Sequence, residues 1–133
     1  MTRCFADTFF YLAFTNERDD AHAPAVNFIA THNPRMVTTD WILTEVGDAM
    51  ATGGRGRFGE LLKAIREDGR TEIVPASRDL FELGVGQYLA RPDKDWSLTD
   101  CISFVVMQEH GLTDALTGDR HFEQAGFRRL LET

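Results

Sequence analysis

The sequence has few cysteines and no long apolar run, and these absences exclude whole classes of protein. Its longest apolar candidate, from Cys101 to Met107, is far shorter than the roughly 20 residues that cross a membrane. The first residues, MTRCFADTFF, lack the apolar centre and the small-residue cleavage site of a signal peptide. We therefore expect no membrane association and a cytoplasmic location.

Two cysteines, Cys4 and Cys101, lie inside apolar segments without CxxC or Cys/His spacing around them. We expect both to be reduced and buried, with no part in metal binding or catalysis. The sequence also lacks a GxSxG motif, a P-loop and a GxGxxG motif followed by a suitable acid. The run Gly53-Gly54-Arg55-Gly56-Arg57 follows a helix, so we interpret it as a helix end and a flexible basic loop, not a phosphate cradle.

The composition is that of one soluble globular domain spanning residues 1–133. Hydrophobic residues make up 43% of the chain and charged residues 26%, too apolar a balance for disorder. The formal net charge of −7 argues mildly against a nucleic-acid partner. A cluster of acids that binds metal ions would account for part of that charge.

Strand-like and helix-like segments alternate along the chain. The predicted strands are 3–6, 35–38, 71–75, 115–117 and 127–130, and the predicted helices are 8–14, 20–32, one starting near 40, 58–67, 79–89, 97–110 and 119–124. Such alternation predicts a parallel sheet with helices on both faces. Functional sites in these sheets lie at the carboxyl ends of the strands.

Four acidic residues occupy positions poorly suited to acids, at or near joins between strands and helices: Asp7, Glu45, Asp100 and Asp119. In a parallel sheet those joins meet at one edge. Neighbouring carboxylates repel and raise one another's pKa, so such a cluster needs a cation. Carboxylate oxygens suit Mg²⁺ or Mn²⁺, and the absence of clustered His and Cys disfavours zinc.

Each acid also has a simpler structural explanation. Asp7 and Asp119 suit the N-caps of the helices that follow them, and Asp100 suits a capping box with Ser97. Glu45 is different because it shares an apolar helix face, where a lone carboxylate costs several kcal/mol. Four independent caps would have no reason to converge, so we interpret the set as one metal site.

Other polar residues fit this site less well. Asp114 lies near the start of the fourth strand, at the opposite edge of the sheet, and Asp95 is a reserve candidate for a ligand or a supporting group. His121, two residues past Asp119, could approach a substrate phosphate. A solvated helix position is the interpretation we favour for it.

Three segments resemble PIN-domain proteins of the prokaryotic kind that includes VapC-type toxins. They are FADTFFYLA, TTDWILTEV and LTDCISFVVMQEHGLTDALTGDRHFEQAGFRRL, and the resemblance extends over essentially the full length. The last segment is the most specific, since it contains otherwise unexplained choices such as Thr99-Asp100 and the run from Gly118 to Phe122. The match at Asp119 is the loosest.

The resemblance implies a three-layer α/β/α sandwich around a parallel sheet of four to five strands, and a metal-dependent endoribonuclease. The acidic set of the family carries over to Asp7, Glu45, Asp100 and Asp119, as metal ligands and catalytic residues, with Mg²⁺ or Mn²⁺ as cofactor. Thr8 and Thr117 would be small polar neighbours. Family members commonly form homodimers, and toxin members are held inactive by a small antitoxin.

Our hypothesis is the hydrolysis of RNA phosphodiester bonds, with single-stranded or looped RNA as the substrate. Arg55, Arg57 and Arg120 are the candidates for contacts with RNA. We expect Arg128 and Arg129 to lie along the last strand.

Two alternatives use a similar fold. A non-catalytic PIN-like binding or regulatory module would act through its dimer or a partner protein and need not bind metal. A response-regulator receiver would need a second acid beside Asp7, an Asp after the third strand and a Lys near the end of the last strand. Val74-Pro75-Ala76 follows the third strand and the chain from 104 onwards contains no Lys, so the sequence disfavours a receiver.

Overall fold

One parallel sheet forms the centre of the molecule, as seen in a computed structural model that describes residues 2–131. Its strands are β1 (Arg3–Ala6), β2 (Arg35–Thr39), β3 (Thr71–Val74), β4 (Asp114–Leu116) and β5 (Arg128–Arg129). Their order across the sheet is β3-β2-β1-β4-β5, and every adjacent pair is parallel. The predicted parallel sheet is confirmed, with five strands.

Helices fill the connections between the strands. They are α1 (Thr8–Thr15), α2 (His22–His32), α3 (Asp40–Ala49), α4 (Arg55–Glu67), α5 (Arg78–Ala90), α6 (Leu98–Glu109) and α7 (Arg120–Gln124). Helix α1 packs against α2 and α3, and α3 packs against α4. Helix α6 packs against both α5 and α7. The predicted α/β/α architecture is confirmed. None of the helices described in residues 2–131 has the length and apolarity needed to cross a membrane.

Helix α6 lies in the core, as the sequence predicts for it in preference to a strand. Every residue from Cys101 to Met107 is buried. Phe104 makes edge-on contacts with Trp96 and Phe122, with ring centroids 5.1 and 5.0 Å apart. Burial of one such side chain contributes about 2 kcal/mol, so this cluster fixes α6 firmly against the sheet and α7.

Both cysteines are free and buried, as predicted. Burial and the charge of Asp114 raise the pKa of the Cys4 thiol to about 12. Burial also raises the pKa of Cys101. Both thiols therefore stay protonated at neutral pH and are poor nucleophiles and metal ligands.

The prediction of a flexible basic loop after α3 is wrong. Gly53 turns the chain with a φ of 76°, and α4 already begins at Arg55. The ring of Phe58 lies where a Cβ on Gly47 would come within 3.2 Å of it. Arg55 and Arg57 therefore belong to α4 and not to a loop.

Candidate active site

The order in which strands join the sheet reverses between the central strand, β1, and β4. From β1 the chain adds β2 and then β3 on one side, whereas β4 pairs with the other side of β1 and β5 extends outward from there. In parallel sheets, ligands bind outside the carboxyl ends of the strands at such a switch point. Asp7 directly follows β1, and the segment from Thr117 to Asp119 directly follows β4.

Asp7 is a buried carboxylate at this switch point. It occupies the N-cap position of α1 but makes no side-chain capping bond, and only 5% of its surface is exposed. Burial, opposed in part by a hydrogen bond from Thr117 and reinforced by the charges of Asp100 and Asp119, raises the pKa of Asp7 to about 7. The capping explanation therefore fails for Asp7. A bound cation would stabilise the ionised carboxylate and lower its pKa.

Thr117 connects the ends of β1 and β4. Its fully buried hydroxyl donates a hydrogen bond of 2.7 Å to Asp7 Oδ2 and accepts one of 3.1 Å from the backbone N–H of Asp119. The strand β4 ends at Leu116, one residue before the predicted end, so Thr117 is the first residue after the strand. One hydroxyl thus fixes the orientation of Asp7 and the path of the chain into Asp119.

Replacing Thr117 by Val should lower both stability and activity. Val has nearly the same shape but removes both hydrogen bonds, and it deprives the buried Asp7 carboxylate of its side-chain donor, at a cost of about 1–3 kcal/mol. Without that donor the pKa of Asp7 should also rise further. Chemical denaturation and RNA cleavage rates of Thr117→Val would measure both losses. Thr117→Ser keeps the hydroxyl and is the matched control, and equal behaviour of the two variants would contradict this role.

Asp100, Asp119 and His121 form a compact group beside Asp7. His121 Nδ1 lies 2.8 Å from Asp100 Oδ2 and 3.6 Å from Asp119 Oδ1. Partial burial of the imidazole lowers the pKa of His121, but its hydrogen bond with Asp100 and the surrounding carboxylates, including Asp95, outweigh burial and raise it overall. These acids therefore stabilise the protonated imidazole of His121 relative to that of a free histidine.

The predicted caps exist at two of the acids and do not compete with the cluster. Asp119 caps α7 by accepting the N–H of His121 at 2.9 Å. Asp100 forms the predicted capping box, since it accepts the N–H of Ser97 at 3.1 Å and its own N–H bonds the Ser97 hydroxyl at 3.0 Å. Capping uses part of each carboxylate and also fixes its direction. The caps thus orient two side chains towards the same point.

Glu45 joins the edge through Thr8, the residue next to Asp7. The Thr8 hydroxyl donates a hydrogen bond of 2.6 Å to Glu45 Oε1. Glu45 lies in the second turn of α3. The Thr39 side chain caps the start of that helix by accepting the N–H of Ile42. Glu45 is half-buried, more open than the fully apolar setting that the sequence suggested.

The chemistry of this group suits a hard divalent cation. Asp100, Asp119 and His121 each offer one ligand atom, and these atoms lie within 4.8 Å of one another. Asp7 adds a buried carboxylate whose ionisation is resisted by burial and by the same two acids. Oxygen donors predominate, as Mg²⁺ and Mn²⁺ prefer. The assignment of Asp7, Glu45, Asp100 and Asp119 as metal ligands stays a prediction that this geometry supports.

Asp114, which the sequence disfavours as a ligand, and Arg57, a candidate for contacts with RNA, both lie away from this edge. Asp114 begins β4 and forms two hydrogen bonds with Arg128, of 3.2 and 3.1 Å, in β5 as expected. Arg57 borders a hollow with Leu12 and Thr15, at the far end of α1 from Thr8. Arg120 is exposed directly after Asp119 and is the better placed of the two to meet a substrate.

His121 is the residue that the sequence interpretation undervalued. We favoured a solvated helix position for it, but it is partly buried and bonded to Asp100. The signal available in the sequence was its position two residues after Asp119, an acid suited to an N-cap. That spacing brings the His121 ring close to the capping carboxylate. The contact with Asp100, 21 residues away, depends on how α6 and α7 pack.

No protein-family model matches the chain. The 23S rRNA-specific endonuclease VapC20 of Mycobacterium tuberculosis is 28% identical to it over 123 residues, which cover 92% of this chain and 94% of that protein. The crystal structure of M. tuberculosis VapC20, a sarcin–ricin loop cleaving toxin, matches with a TM-score of 0.85 and 27% identity over 93% of this chain and 95% of that one.

A more distant neighbour shows the same fold. VapBC2 from Rickettsia felis, bound to a DNA fragment from its promoter, matches with a TM-score of 0.67 and 12% identity over 96% of this chain and 97% of that one. The similarity to VapC20 extends over nearly the whole of both chains, in sequence as well as in structure. In sequence and in structure the chain is therefore similar to VapC-type toxins of the PIN-domain kind over nearly its whole length.

Proposed function

We propose that this single-domain protein is a Mg²⁺- or Mn²⁺-dependent endoribonuclease that hydrolyses phosphodiester bonds in ribosomal RNA. The observation that carries the proposal is the buried Asp7 at the switch point of the sheet, with the charges of Asp100 and Asp119 acting on it. The similarity to an endonuclease specific for 23S rRNA supports the substrate class. Ribosomal RNA as substrate also implies a cytoplasmic location.

The carboxylates of Asp7, Asp100, Asp119 and Glu45 are the groups that would hold the metal. When bound, a divalent ion acidifies water and neutralises charge on a phosphate. Thr117 and Thr8 keep the oxygens of Asp7 and Glu45 in fixed directions through their hydrogen bonds. A nearby carboxylate can accept the proton of the attacking water.

His121 has a separate part in this proposal. It holds Asp100 in place through the 2.8 Å contact between its Nδ1 and Asp100 Oδ2. Because two carboxylates lie beside its ring, any positive charge on His121 is largely offset. Arg120, exposed beside Asp119, is therefore the cation at this edge that can attract a phosphate oxygen as the substrate enters.

Removing divalent metal should abolish cleavage. A synthetic RNA hairpin with the sarcin–ricin loop sequence, incubated with the purified chain, should be cut in Mg²⁺ or Mn²⁺ and at least 100-fold more slowly in EDTA. Isothermal titration with Mn²⁺ should show binding that weakens in Asp100→Asn. Cleavage that continues unchanged in EDTA would sink metal dependence. If no heat of Mn²⁺ binding is measured and neither the hairpin nor purified ribosomal RNA is cleaved, the result would favour a non-catalytic binding or regulatory module.

We propose further that the protein is the toxin of a toxin–antitoxin pair and acts as a homodimer restrained by a small antitoxin. The support is the similarity to VapC20, a toxin, together with a fold shared with VapBC2 from R. felis. A short reading frame beside the gene, encoding a protein that co-purifies with this chain and blocks RNA cleavage, would establish the pair. Light scattering of the purified chain would give its mass in solution.

A further inference from the structure

A hollow of about 410 Å³ opens between the end of α5 and the start of α6. We call it the α5–α6 hollow, and the lining residues that matter to its chemistry are Tyr88, Arg91, Lys94, Asp95, Trp96 and Cys101. Its volume lies within the range of small-molecule sites, roughly 300–1,000 Å³. Aromatic rings beside cations are typical of surfaces that bind unpaired nucleotides.

The α5–α6 hollow adjoins the acidic edge. Cys101 in its wall directly follows Asp100, and the charge of Asp95 at its rim contributes to the raised pKa of His121. Trp96 in its wall donates a hydrogen bond of 3.1 Å from Nε1 to Gln124 Oε1, in the helix that carries His121. A chain of RNA with one phosphate at the acids therefore has a neighbouring nucleotide within reach of this hollow.

Arg91 provides a fixed flat surface within the hollow. Its guanidinium carbon lies 5.1 Å from the centre of the Trp96 ring, over that ring. Two hydrogen bonds to Asp93, both 3.0 Å, hold the same group from its edge. Trp96 is buried, while 44% of the Arg91 side chain remains exposed. The guanidinium is thus held in position with surface still open to a ligand.

Two further side chains give the hollow a preference for nucleotides. Tyr88 is 46% exposed, so its aromatic ring is accessible to a ligand. Lys94 is half-buried in the wall and supplies a cation for a phosphate. Unpaired RNA bases stack on aromatic rings and on guanidinium planes, as paired bases in a duplex cannot.

We propose that the α5–α6 hollow binds one unpaired nucleotide of the RNA substrate next to the cleaved bond, with its base against Arg91 and Tyr88 and its phosphate near Lys94. The proposal depends on the proposed function in one respect, that the substrate is RNA. Exposed Tyr88 would also suit a protein contact. The fixed guanidinium and the proximity to the acidic edge favour RNA.

The test combines binding and cleavage of the sarcin–ricin hairpin. A fluorescent hairpin is titrated with the full chain in EDTA, where cleavage is suppressed, and the same hairpin is used for kinetics in Mn²⁺. The hairpin is also made with a single abasic site at each loop position in turn. We expect one abasic position to weaken wild-type binding about 10-fold and Tyr88→Ala to weaken binding of the intact hairpin by a similar factor.

The diagnostic result is the combination. At the critical position, Tyr88→Ala and the abasic site together should lose little more than either alone, because both remove the same stacking contact. Tyr88→Phe should behave like the wild type, and Arg91→Ala should resemble Tyr88→Ala while unfolding at a similar temperature. Leu83→Ala, at an exposed residue of α5 that is absent from the hollow's lining, is the matched control.

Additive losses, or equal affinity of Tyr88→Ala and the wild type, would overturn the proposal. A changed mass in solution without changed RNA affinity would assign the surface to protein contact and overturn it as well. Failure of cleavage with intact binding would count against the proposed nuclease only. The binding measurement therefore decides this inference separately from the activity.

Discussion

Replacing Asp7 by Asn should abolish RNA cleavage and at the same time stabilise the metal-free protein. Asp7 is buried, and its pKa is raised to about 7 by burial and by the charges of Asp100 and Asp119. At neutral pH and above, the folded chain must therefore either ionise a buried group or retain a proton that the unfolded chain releases. Asn keeps the shape and can still accept the Thr117 hydrogen bond without this cost.

The pH dependence of stability follows with a definite sign. An ordinary Asp loses its proton near pH 3.8, whereas folded Asp7 keeps it until about pH 7. Between these values the folded state binds more protons than the unfolded state, so the free energy of unfolding falls as pH rises. The stabilisation by Asp7→Asn should thus be small near pH 4 and reach about 4 kcal/mol above pH 7, measured by denaturant titration in EDTA.

Activity should change in the opposite direction. A ligand to a catalytic metal is worth more than its supporting partners, whose loss costs about 10–100-fold, so we expect cleavage to fall at least 100-fold in Asp7→Asn. Asp114→Asn is the matched control, since it makes the same change at an acid paired with Arg128 beyond the site. It should retain activity within about 2-fold. An active Asp7→Asn variant, or one less stable than the wild type at pH 8 in EDTA, would contradict the assignment of Asp7.

The sequence sufficed to predict at which edge of the sheet the acids meet. Alternating strands and helices fix a parallel sheet, and acids at the ends of β1 and β4 must then converge whatever the details of packing. It could not separate capping from ligation, because Asp100 and Asp119 make their predicted caps and also join the cluster. The identity of a side chain does not reveal how many of its oxygen lone pairs are engaged.

Contacts between distant helices were beyond the sequence for a different reason. The bond between His121 and Asp100 depends on the angle at which α6 meets α7, and that angle is set by the aromatic packing of Phe104 and Phe122. Local periodicity predicts which face of a helix is buried but not its neighbour. Only the family resemblance predicts Thr117 beside the site, because its hydroxyl bonds Asp7, a residue 110 positions away in the sequence.

The glycines of α5 show the same limit. Gly84 and Gly86 both lower the helix propensity of this segment, so the sequence predicts an irregular helix there. In the structure α5 is one continuous helix, and only Gly84 has a packing reason. A Cβ on Gly84 would collide with Ile102 Cγ1 and lie 3.3 Å from the Ile102 Cα, whereas no atom lies within 4 Å of a Cβ on Gly86.

Substituting Ala at these two glycines should therefore change stability in opposite directions. Gly84→Ala forces α5 and α6 apart and should cost about 2 kcal/mol even after its gain in helix propensity. Gly86→Ala adds a methyl group in open space and should stabilise by about 0.5–1 kcal/mol. Thermal and denaturant unfolding of the two variants measures the difference directly.

The same pair tests how closely α6 couples the core to the site. Because α6 carries Asp100, a displaced α6 should move that carboxylate relative to Asp119 and His121, whose contacts with it are a few ångströms long. Cleavage by Gly84→Ala should fall at temperatures where the variant remains folded, while Gly86→Ala should match the wild type. If Gly84→Ala were destabilised but fully active, Asp100 would be positioned by its capping box with Ser97 and not by the packing of α6 on α5.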